Sequence, residues 1–246
     1  MPDMPPPRGF LFDVFGTVCD WHTALAGAAT QLLQDYGSIA TKPVSASDFA
    51  RAWRQRYAQE TQRRGSEALA WISLTEIISE ALKELAQAHL MQPIDDAEIA
   101  KRIGCWRRMQ PWPDSVTGLL QIKNLGPIAT CSNGNFADMQ ALATFANLPW
   151  NQILGAEVAH FYKPHRETYL QSVAKLDLLP EEVVMVASHQ ADLARATSLG
   201  LQTAFVIRPL EFGSPGMGEE TEVTGKHTFV ANDFIDLAKQ LAAAQR

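Results

Sequence analysis

Short apolar segments that end in small polar residues limit the folds open to this chain. The segments "GPIATCSNGN" (126–135), "VVMVASHQAD" (183–192) and "LQTAFVIRP" (201–209) alternate with helical patterns. Strands that alternate with helices usually pair in parallel, because each helix returns the chain to the same end of the sheet. A further apolar run, residues 10–14, precedes them and would form the first strand. The pattern predicts an α/β fold with a Rossmann-like parallel sheet.

A long helical pattern separates the first predicted strand from the others. Phe49, Trp53 and Tyr57 recur at helical spacing, and residues 22–111 contain no convincing strand pattern. We therefore expect an α/β core domain built from residues 1–21 and 112–246, with residues 22–111 inserted as an all-helical cap domain. The proline-rich start predicts a flexible leader, with order beginning near Gly9.

Asp13 is a lone carboxylate in an otherwise apolar run, and its burial without a partner would be costly. Ligands of open α/β sheets bind beyond the carboxyl ends of the strands. Ser132, Asn133, Ser188 and Asp192 follow other predicted strands, so we expect them to converge with Asp13. A helical cap over the same edge would exclude water from this site and contribute side chains to it.

Composition argues against several kinds of partner. The formal net charge is -6 and no run of Lys or Arg exceeds a pair, which disfavours nucleic acid and anionic membranes. Apolar stretches fall well short of the roughly 18 residues of a membrane span. The three cysteines match neither a disulfide framework nor a zinc site. These features predict a cytoplasmic protein with reduced thiols.

Four motifs follow one another along the chain: "DVFGTVCDW" (13–21), "SNGN" (132–135), "YKP" (162–164) and "VASHQADLARATSLGLQTAFVIRPLEFG" (186–213). Together they resemble the motifs of the type II 2-haloacid dehalogenases in the haloacid dehalogenase superfamily. The resemblance implies hydrolytic dehalogenation of small L-2-haloalkanoic acids to 2-hydroxy acids through an aspartyl ester. Its partners would be a haloacid, water and the released halide, with no cofactor and no metal. Members of this family also suggest a homodimer.

Two positions separate this chain from the phosphatases of the same superfamily. Those enzymes carry a second aspartate two residues after the nucleophile, where this chain has Phe15, and an acid where it has Ser188. Mg²⁺ requires oxygen ligands, usually including carboxylates, and an alkoxide leaving group needs a proton that a halide does not. Dehalogenation is therefore favoured. A phosphatase or other superfamily hydrolase, and a catalytically idle binding protein, remain alternatives.

The resemblance implies that Asp13 is the nucleophile and that two charged residues assist it. Lys163 would keep Asp13 ionised, since a nearby cation lowers the pKa of a carboxylate; the alternative is a surface lysine. Asp192 would hold Lys163 or orient the hydrolytic water, or would only place a favourable charge at a helix N-terminus. We predict Asp13, Lys163 and Asp192 as the catalytic residues.

Further positions match substrate-binding residues of the family. Thr17, Ser132 and Asn133 resemble donors to the substrate carboxylate and to the nucleophile, although a Ser-Asn pair after a strand is also typical of a helix N-cap. Arg54 resembles a cap arginine that meets the substrate or the departing halide. Four more arginines crowd its helix, and an isolated helical arginine is usually solvated; they are Arg51, Arg56, Arg63 and Arg64.

Four remaining residues complete the predicted site. Phe15 and Trp21 are expected to wall the halogen pocket, or else to serve only in packing. Ser188 and His189 are expected to position water or halide. His189 stands where some relatives have asparagine, and it would otherwise cap the helix that follows.

Overall fold

The computed structural model describes residues 4–39 and 41–246. The described residues leave out residues 1–3, which belong to the predicted leader and core segment. They also leave out residue 40, which belongs to the predicted cap. The strands are β1 (Gly9–Phe12), β2 (Cys19–Asp20), β3 (Gln110–Pro111), β4 (Ile128–Thr130), β5 (Val183–Ala187), β6 (Gln202–Val206) and β7 (Phe229–Ala231). The helices are α1 (Trp21–Tyr36), α2 (Ala46–Glu67), α3 (Leu74–His89), α4 (Asp96–Ile103), α5 (Ser115–Lys123), α6 (Phe136–Ala146), α7 (Ala156–Ala159), α8 (Arg166–Ala174), α9 (Gln190–Ser198) and α10 (Phe234–Ala244).

The predicted parallel sheet is confirmed. Strands β4, β1, β5, β6 and β7 lie side by side in that order, and every neighbouring pair is parallel. The first strand is shorter than predicted, because it ends at Phe12 and leaves Asp13 and Val14 beyond its carboxyl end. Strand β7 was not predicted, since its three residues follow a long polar loop without an extended apolar run.

Both faces of the sheet are covered by helices, which explains why its strands are almost uniformly apolar. Alternate residues point to opposite faces of a strand, so Phe10 and Phe12 enter one core and Leu11 the other. Residues of α5, α6 and α10 pack with the first face, and residues of α8 and α9 pack with the second. The strands are therefore rigid supports for the residues at their ends.

Residues 22–111 contain most of α1 and the whole of α2, α3 and α4, as the helical pattern indicated. Trp53 donates a hydrogen bond from its indole nitrogen to the carbonyl of Ile78 at 2.9 Å and so ties α2 to α3. Strand pairing does occur at the end of this range, where Gln110–Pro111 lies antiparallel to Cys19–Asp20. That pairing was not foreseen, because two residues are too few to produce an alternating pattern.

Pro5 and Pro7 pack more closely than residues of a flexible leader would. Pro7 is buried, and the carbonyls of Pro5 and Pro7 accept hydrogen bonds from Gln202 and Gln245 at 2.8 and 2.7 Å. The ordered structure therefore begins before Gly9. In the described part of the chain, no helix is both long and apolar enough to cross a bilayer.

Candidate active site

Asp13 follows β1 directly and lies at the carboxyl edge of the sheet. Its backbone N–H donates to the carbonyl of Val186 in β5 at 3.0 Å, which fixes the residue between the two central strands. The side chain is only 10% exposed. Its carboxylate is nevertheless well satisfied, since Lys163 donates to Oδ1 at 2.8 Å and the Thr17 hydroxyl donates to Oδ2 at 2.8 Å.

Lys163 joins Asp13 to Asp192. The ammonium also donates to Oδ2 of Asp192 at 2.5 Å, and all three side chains are at most 10% exposed. The other oxygen of Asp192 accepts a hydrogen bond from the hydroxyl of Tyr169 at 2.5 Å. Lys163 is thus a buried lysine, and Asp192 is paired with it while it also lies in the first turn of α9.

Asn133 holds the segment that carries Lys163. Its side-chain Oδ1 accepts a hydrogen bond from the backbone N–H of Lys163 at 3.0 Å. The N-cap of α6 is Asn135, and Ser132 accepts a hydrogen bond from the N–H of Gly134 at 3.2 Å. The alternative in which Ser132 and Asn133 serve as the N-cap of α6 therefore does not describe this structure.

Ser188 connects the end of β5 to Thr17. The N–H of Ser188 donates to the Thr17 hydroxyl at 2.9 Å, and the two hydroxyl oxygens are 3.0 Å apart. Thr17 is completely buried and Ser188 nearly so, at 1% exposure. This arrangement orients the hydroxyl of Thr17 toward Asp13.

His189 lies between two carboxylates. Its Nδ1 is 3.2 Å from Oδ2 of Asp13, and its Nε2 is 2.9 Å from Oε1 of Glu211. His189 occupies the N-cap position of α9, as the alternative prediction held, but its ring makes no capping hydrogen bond there. Glu211 is buried and accepts a second hydrogen bond at 3.0 Å from the indole nitrogen of Trp21.

The charges in this site stabilise one another. Burial opposes the ionisation of Asp13, but the positive charge of Lys163 and the contact with His189 outweigh it and hold the pKa of Asp13 far below its usual range. Burial also opposes the charge on Lys163, and the negative charges of Asp13 and Asp192 raise its pKa well above the usual value. At neutral pH the site therefore contains a carboxylate beside an ammonium ion.

A cavity of about 340 Å³ adjoins these groups and is of a size suited to a small ligand. The core contributes Asp13, Asn133, Lys163, His189 and Asp192 to its lining, and helix α2 contributes a further set. That set comprises Arg54, Tyr57, Ala58, Thr61 and Gln62. The predicted convergence of the strand ends is thus present, with the helical segment forming an opposite wall.

Arg54 differs from the other arginines of its helix. Its guanidinium carbon lies 4.7 Å from the ring centre of Tyr57 and 5.6 Å from that of Trp21, and its Nε is buried without a hydrogen-bond partner. Within the described residues it forms no ion pair. Carboxylates pair with all four neighbouring arginines, namely Arg51, Arg56, Arg63 and Arg64. Arg54 is therefore the α2 cation available to an anion in the cavity.

Several residues predicted to touch the substrate lie behind the cavity wall. Phe15 packs edge-on against Tyr57 and Trp106, with ring centres 6.2 and 5.4 Å apart. Trp21 is fully buried against Phe212 and Glu211. Thr17, Ser132 and Ser188 are also buried and absent from the cavity lining. Their roles in substrate binding remain predictions, and any such role for the two aromatic residues would be indirect.

Other residues of the site were missed at the level of sequence. Tyr57 was assigned only to a helix face, whereas its side chain also lines the cavity. Tyr169 and Glu211 lie in helical or loop sequence whose local pattern gives no sign of their partners. The one available signal for Glu211 is an acid in the "RPLEFG" stretch, which directly follows a buried strand.

The donor set at the sheet edge does not favour a divalent cation. The position two residues after Asp13 presents the apolar ring of Phe15, and both oxygens of Asp13 already accept hydrogen bonds. Among the described residues, no three His, Cys, Asp or Glu side chains are grouped to hold a metal ion. The positive charge beside Asp13 is supplied by Lys163.

Comparison with known proteins agrees with this geometry. Residues 7–200 match the family model of haloacid dehalogenase-like hydrolases. The chain is 27% identical over 212 residues to (S)-2-haloacid dehalogenase 1 from Pseudomonas sp. (strain CBS-3), covering 83% of this chain and 86% of that protein.

Solved structures extend the similarity over nearly the whole chain. The L-2-haloacid dehalogenase PA0810 is 35% identical with a TM-score of 0.86, covering 96% of this chain and 99% of that one. The defluorinating L-2-haloacid dehalogenase Rha0230 is 34% identical with a TM-score of 0.87, covering 96% and 95%.

Proposed function

Because this chain belongs to the haloacid dehalogenase-like hydrolase family, we propose that it hydrolyses small L-2-haloalkanoic acids to 2-hydroxy acids. The observation that carries the proposal is a buried, ionised Asp13 held by Lys163 beside a cavity of about 340 Å³. The activity named for its relatives at 35% and 34% identity supports the same assignment.

The first step is displacement of the halide by Asp13. A carboxylate oxygen forms a bond to C2 of the acid while the carbon–halogen bond breaks, and the electron pair leaves with the halide. The configuration at C2 is inverted, and the product is an ester that joins Asp13 to the substrate carbon. Arg54 is the proposed partner of the substrate carboxylate or of the departing halide, because it is a cation without an anionic partner in the cavity wall.

The second step is hydrolysis of that ester. Water attacks the aspartyl carbonyl carbon, the bond from that carbon to the former nucleophilic oxygen breaks, and one proton is released overall. Asp192 is the proposed acceptor of the water proton, since it lines the cavity next to Lys163. Asp13 returns as a carboxylate, and the reaction requires no cofactor.

Phe15 favours a halide over a phosphate ester as the group that leaves. An alkoxide must be protonated as it departs, and the buried Phe15 offers no acid two residues after the nucleophile. A halide leaves as a stable anion without a proton. The side chains of the site therefore fit dehalogenation better than hydrolysis of a phosphate ester.

An isotope experiment tests the covalent route. A single turnover in ¹⁸O-water with enzyme in excess should yield mostly unlabelled hydroxy acid, with the label in the peptide that contains Asp13. Labelled product and an unlabelled peptide would make Asp13 a general base instead. Stereochemistry is no substitute, because one displacement at carbon occurs on either route.

A substrate panel tests the reaction class. Halide release should be measured from fluoro-, chloro- and bromoacetate and from both enantiomers of 2-chloropropionate. A phosphate ester, with and without magnesium, serves as the comparison. Release of phosphate without any halide would refute the proposal. If no compound in the panel is turned over, the binding-protein alternative would be favoured.

We further propose that residues 22–111 act as a cap domain on a core of residues 1–21 and 112–246. Support comes from α2, whose residues line the cavity opposite the strand ends. Slower hydrogen exchange of α2 when a 2-hydroxy acid is bound would agree with closure, and unchanged exchange would argue against it.

Two properties of the protein in solution belong to the same proposal. A homodimer is supported by Phe136 and Phe145 on α6, which are 52% and 42% exposed, and sedimentation equilibrium measures it directly. A cytoplasmic location is supported by the three unpaired thiols of Cys19, Cys105 and Cys131. Cell fractionation tests that location.

A further inference from the structure

The contacts of His189 define the protonation state of its ring. One ring nitrogen lies 3.2 Å from Asp13 Oδ2, and the other lies 2.9 Å from Glu211 Oε1. Ionised carboxylates only accept hydrogen bonds, and a neutral imidazole has a single N–H. A neutral ring would turn a lone pair toward one carboxylate, so both contacts are satisfied only by an imidazolium.

Glu211 is built into the fold as the partner of this ring. It is 1% exposed, so its charge needs a nearby cation. Gly16 has a φ of +93°, and a Cβ on it would lie only 2.2 Å from Oε1 of Glu211. A side chain at position 16 would therefore displace the carboxylate. Trp21 fixes the same oxygen from another side with its indole N–H.

The two oxygens of Asp13 have different environments. Oδ1 is bound by Lys163, whereas Oδ2 faces both the Thr17 hydroxyl at 2.8 Å and Nδ1 of His189. A hydroxyl that donates to this oxygen and a ring nitrogen 3.2 Å from it are arranged like the two donors of an oxyanion site. This pair would stabilise negative charge on Oδ2 if that atom became the carbonyl oxygen of an ester.

We propose that the imidazolium of His189, positioned by Glu211, is a catalytic residue for hydrolysis of the Asp13 ester, where it and Thr17 stabilise the oxyanion on Oδ2. This inference rests on the proposed dehalogenase function. It assigns Oδ1 as the atom that bonds to the substrate carbon and Glu211 as a positioning residue that acts through His189.

Hydrolysis of the ester forms one bond to Cγ of Asp13 and breaks another. The oxygen of water bonds to Cγ of Asp13, and the carbonyl pair moves onto Oδ2. Collapse re-forms that carbonyl and breaks the bond from Cγ to Oδ1, which departs as the hydroxyl oxygen of the product. Asp192 takes one proton from the attacking water and later releases it to solvent. The second proton of that water passes from the new carboxyl group to the departing oxygen, so the product is an alcohol and Asp13 returns as a carboxylate. His189 keeps its proton throughout, and no electron is lost or gained.

The charge on His189 predicts how hydrolysis depends on pH. Burial disfavours the imidazolium, but the charge of Glu211 and the contact with Asp13 outweigh burial and raise the pKa of His189 to about 10. The other charged groups around the cavity are Arg54, Lys163 and Asp192. Part of this rise comes from the negative charge of Asp13, which is absent once Asp13 is esterified, so His189 should lose its proton at lower pH in the ester form than in the free enzyme. Since the required form is the protonated one, hydrolysis should fail on the alkaline side, before the pKa of the free enzyme is reached.

A half-reaction experiment tests the role of His189. In a single turnover of His189→Leu with chloroacetate, chloride release should persist, while glycolate formation should fall by about 10²-fold or more. The Asp13 peptide should then carry the carboxymethyl ester by mass spectrometry. His189→Gln retains a neutral N–H and should lose less, and His227→Leu is the matched control away from the cavity.

A second variant tests Glu211. In Glu211→Gln the alkaline limit of ester hydrolysis should move to lower pH, and the ¹⁵N ring resonances of His189 should show a lower pKa. The exposed control Glu181→Gln should change neither. An unfolded variant would hydrolyse no ester and would show the ring pKa of an unstructured histidine. The fold of each variant is therefore checked by circular dichroism.

The outcomes separate this inference from the proposed function. Equal loss of chloride and glycolate in His189→Leu, or normal glycolate formation, would overturn it. An unmoved alkaline limit in folded Glu211→Gln would also overturn it. Wild-type enzyme that releases no halide from any haloacid would instead refute the proposed function, and the His189 resonances would still show whether the imidazolium exists.

Discussion

Replacing Lys163 with methionine removes the charge that is proposed to hold Asp13 ready as the nucleophile, while retaining a similar length of side chain. The ammonium lies 2.8 Å from Asp13 and 2.5 Å from Asp192, with all three groups at most 10% exposed. At an effective dielectric constant of about 20, unit charges 2.8 Å apart attract by about 6 kcal/mol. Part of that attraction offsets the desolvation of the lysine, so the net loss is smaller.

We expect Lys163→Met to lose about 10² to 10³-fold in kcat/KM, equivalent to about 3–4 kcal/mol. Two partners remain for Asp13, namely Thr17 and His189, which is why the loss stops short of the full Coulomb energy. Without the ammonium, the pKa of Asp13 should rise toward its usual range. The acid limb of the activity profile should then move to higher pH.

Initial rates of halide release from L-2-chloropropionate, measured between pH 4 and 10, provide the assay. Lys175→Met is the matched control, because Lys175 is exposed and forms no side-chain ion pair among the described residues. A loss within about threefold, with an unmoved acid limb and unchanged unfolding, would refute the reasoning. It would make Lys163 a structural residue only.

Three further predictions address other parts of the molecule. Activity should survive excess EDTA, because Phe15 and Ser188 stand where an acid would be needed for a metal site and Lys163 supplies the positive charge beside Asp13. Loss of activity with rescue by Mg²⁺ would contradict this. Arg54→Leu should raise KM about 10-fold or more with little change in Tm, whereas the control Arg56→Leu should leave KM alone. Arg208→Leu breaks a buried pair with Asp114 at 2.7 Å and should lower the free energy of unfolding, measured in urea, by about 3–5 kcal/mol. Because the pair with Arg208 lowers the pKa of Asp114, this loss of stability should shrink as the pH falls through that pKa.

Local sequence was sufficient for four of the five strands of the sheet and for the residues at its edge. The runs around Asp13, Ser132 and Ser188 are apolar for several residues and then abruptly polar, which is the pattern of a buried parallel strand and its carboxyl end. Residues at those ends must meet, so the approach of Asp13 to Asp192 follows from topology. The match of "YKP" to a family motif added Lys163 to this group.

Boundaries and short elements were predicted less well. Strand β7 has three residues and the β2–β3 pair has two residues on each side, so neither produces a periodic signal. Pro5 and Pro7 suggested a free leader, yet their carbonyls accept hydrogen bonds from side chains more than 190 positions away. Such contacts depend on the return of distant segments, and composition carries no trace of them.

The sequence by itself determined the α/β class, the position of Asp13 at the end of a buried strand and the absence of an acid two residues later. It did so because these depend on short patterns and on topology. Only the tertiary structure decided which arginine of α2 lacks an anionic partner, that Trp21 faces Glu211, and that Glu211 meets His189 from 22 positions further along the chain. A hydrogen bond acts over about 3 Å whatever the separation in sequence. The partners of a buried charge are therefore set by how the chain folds back on itself.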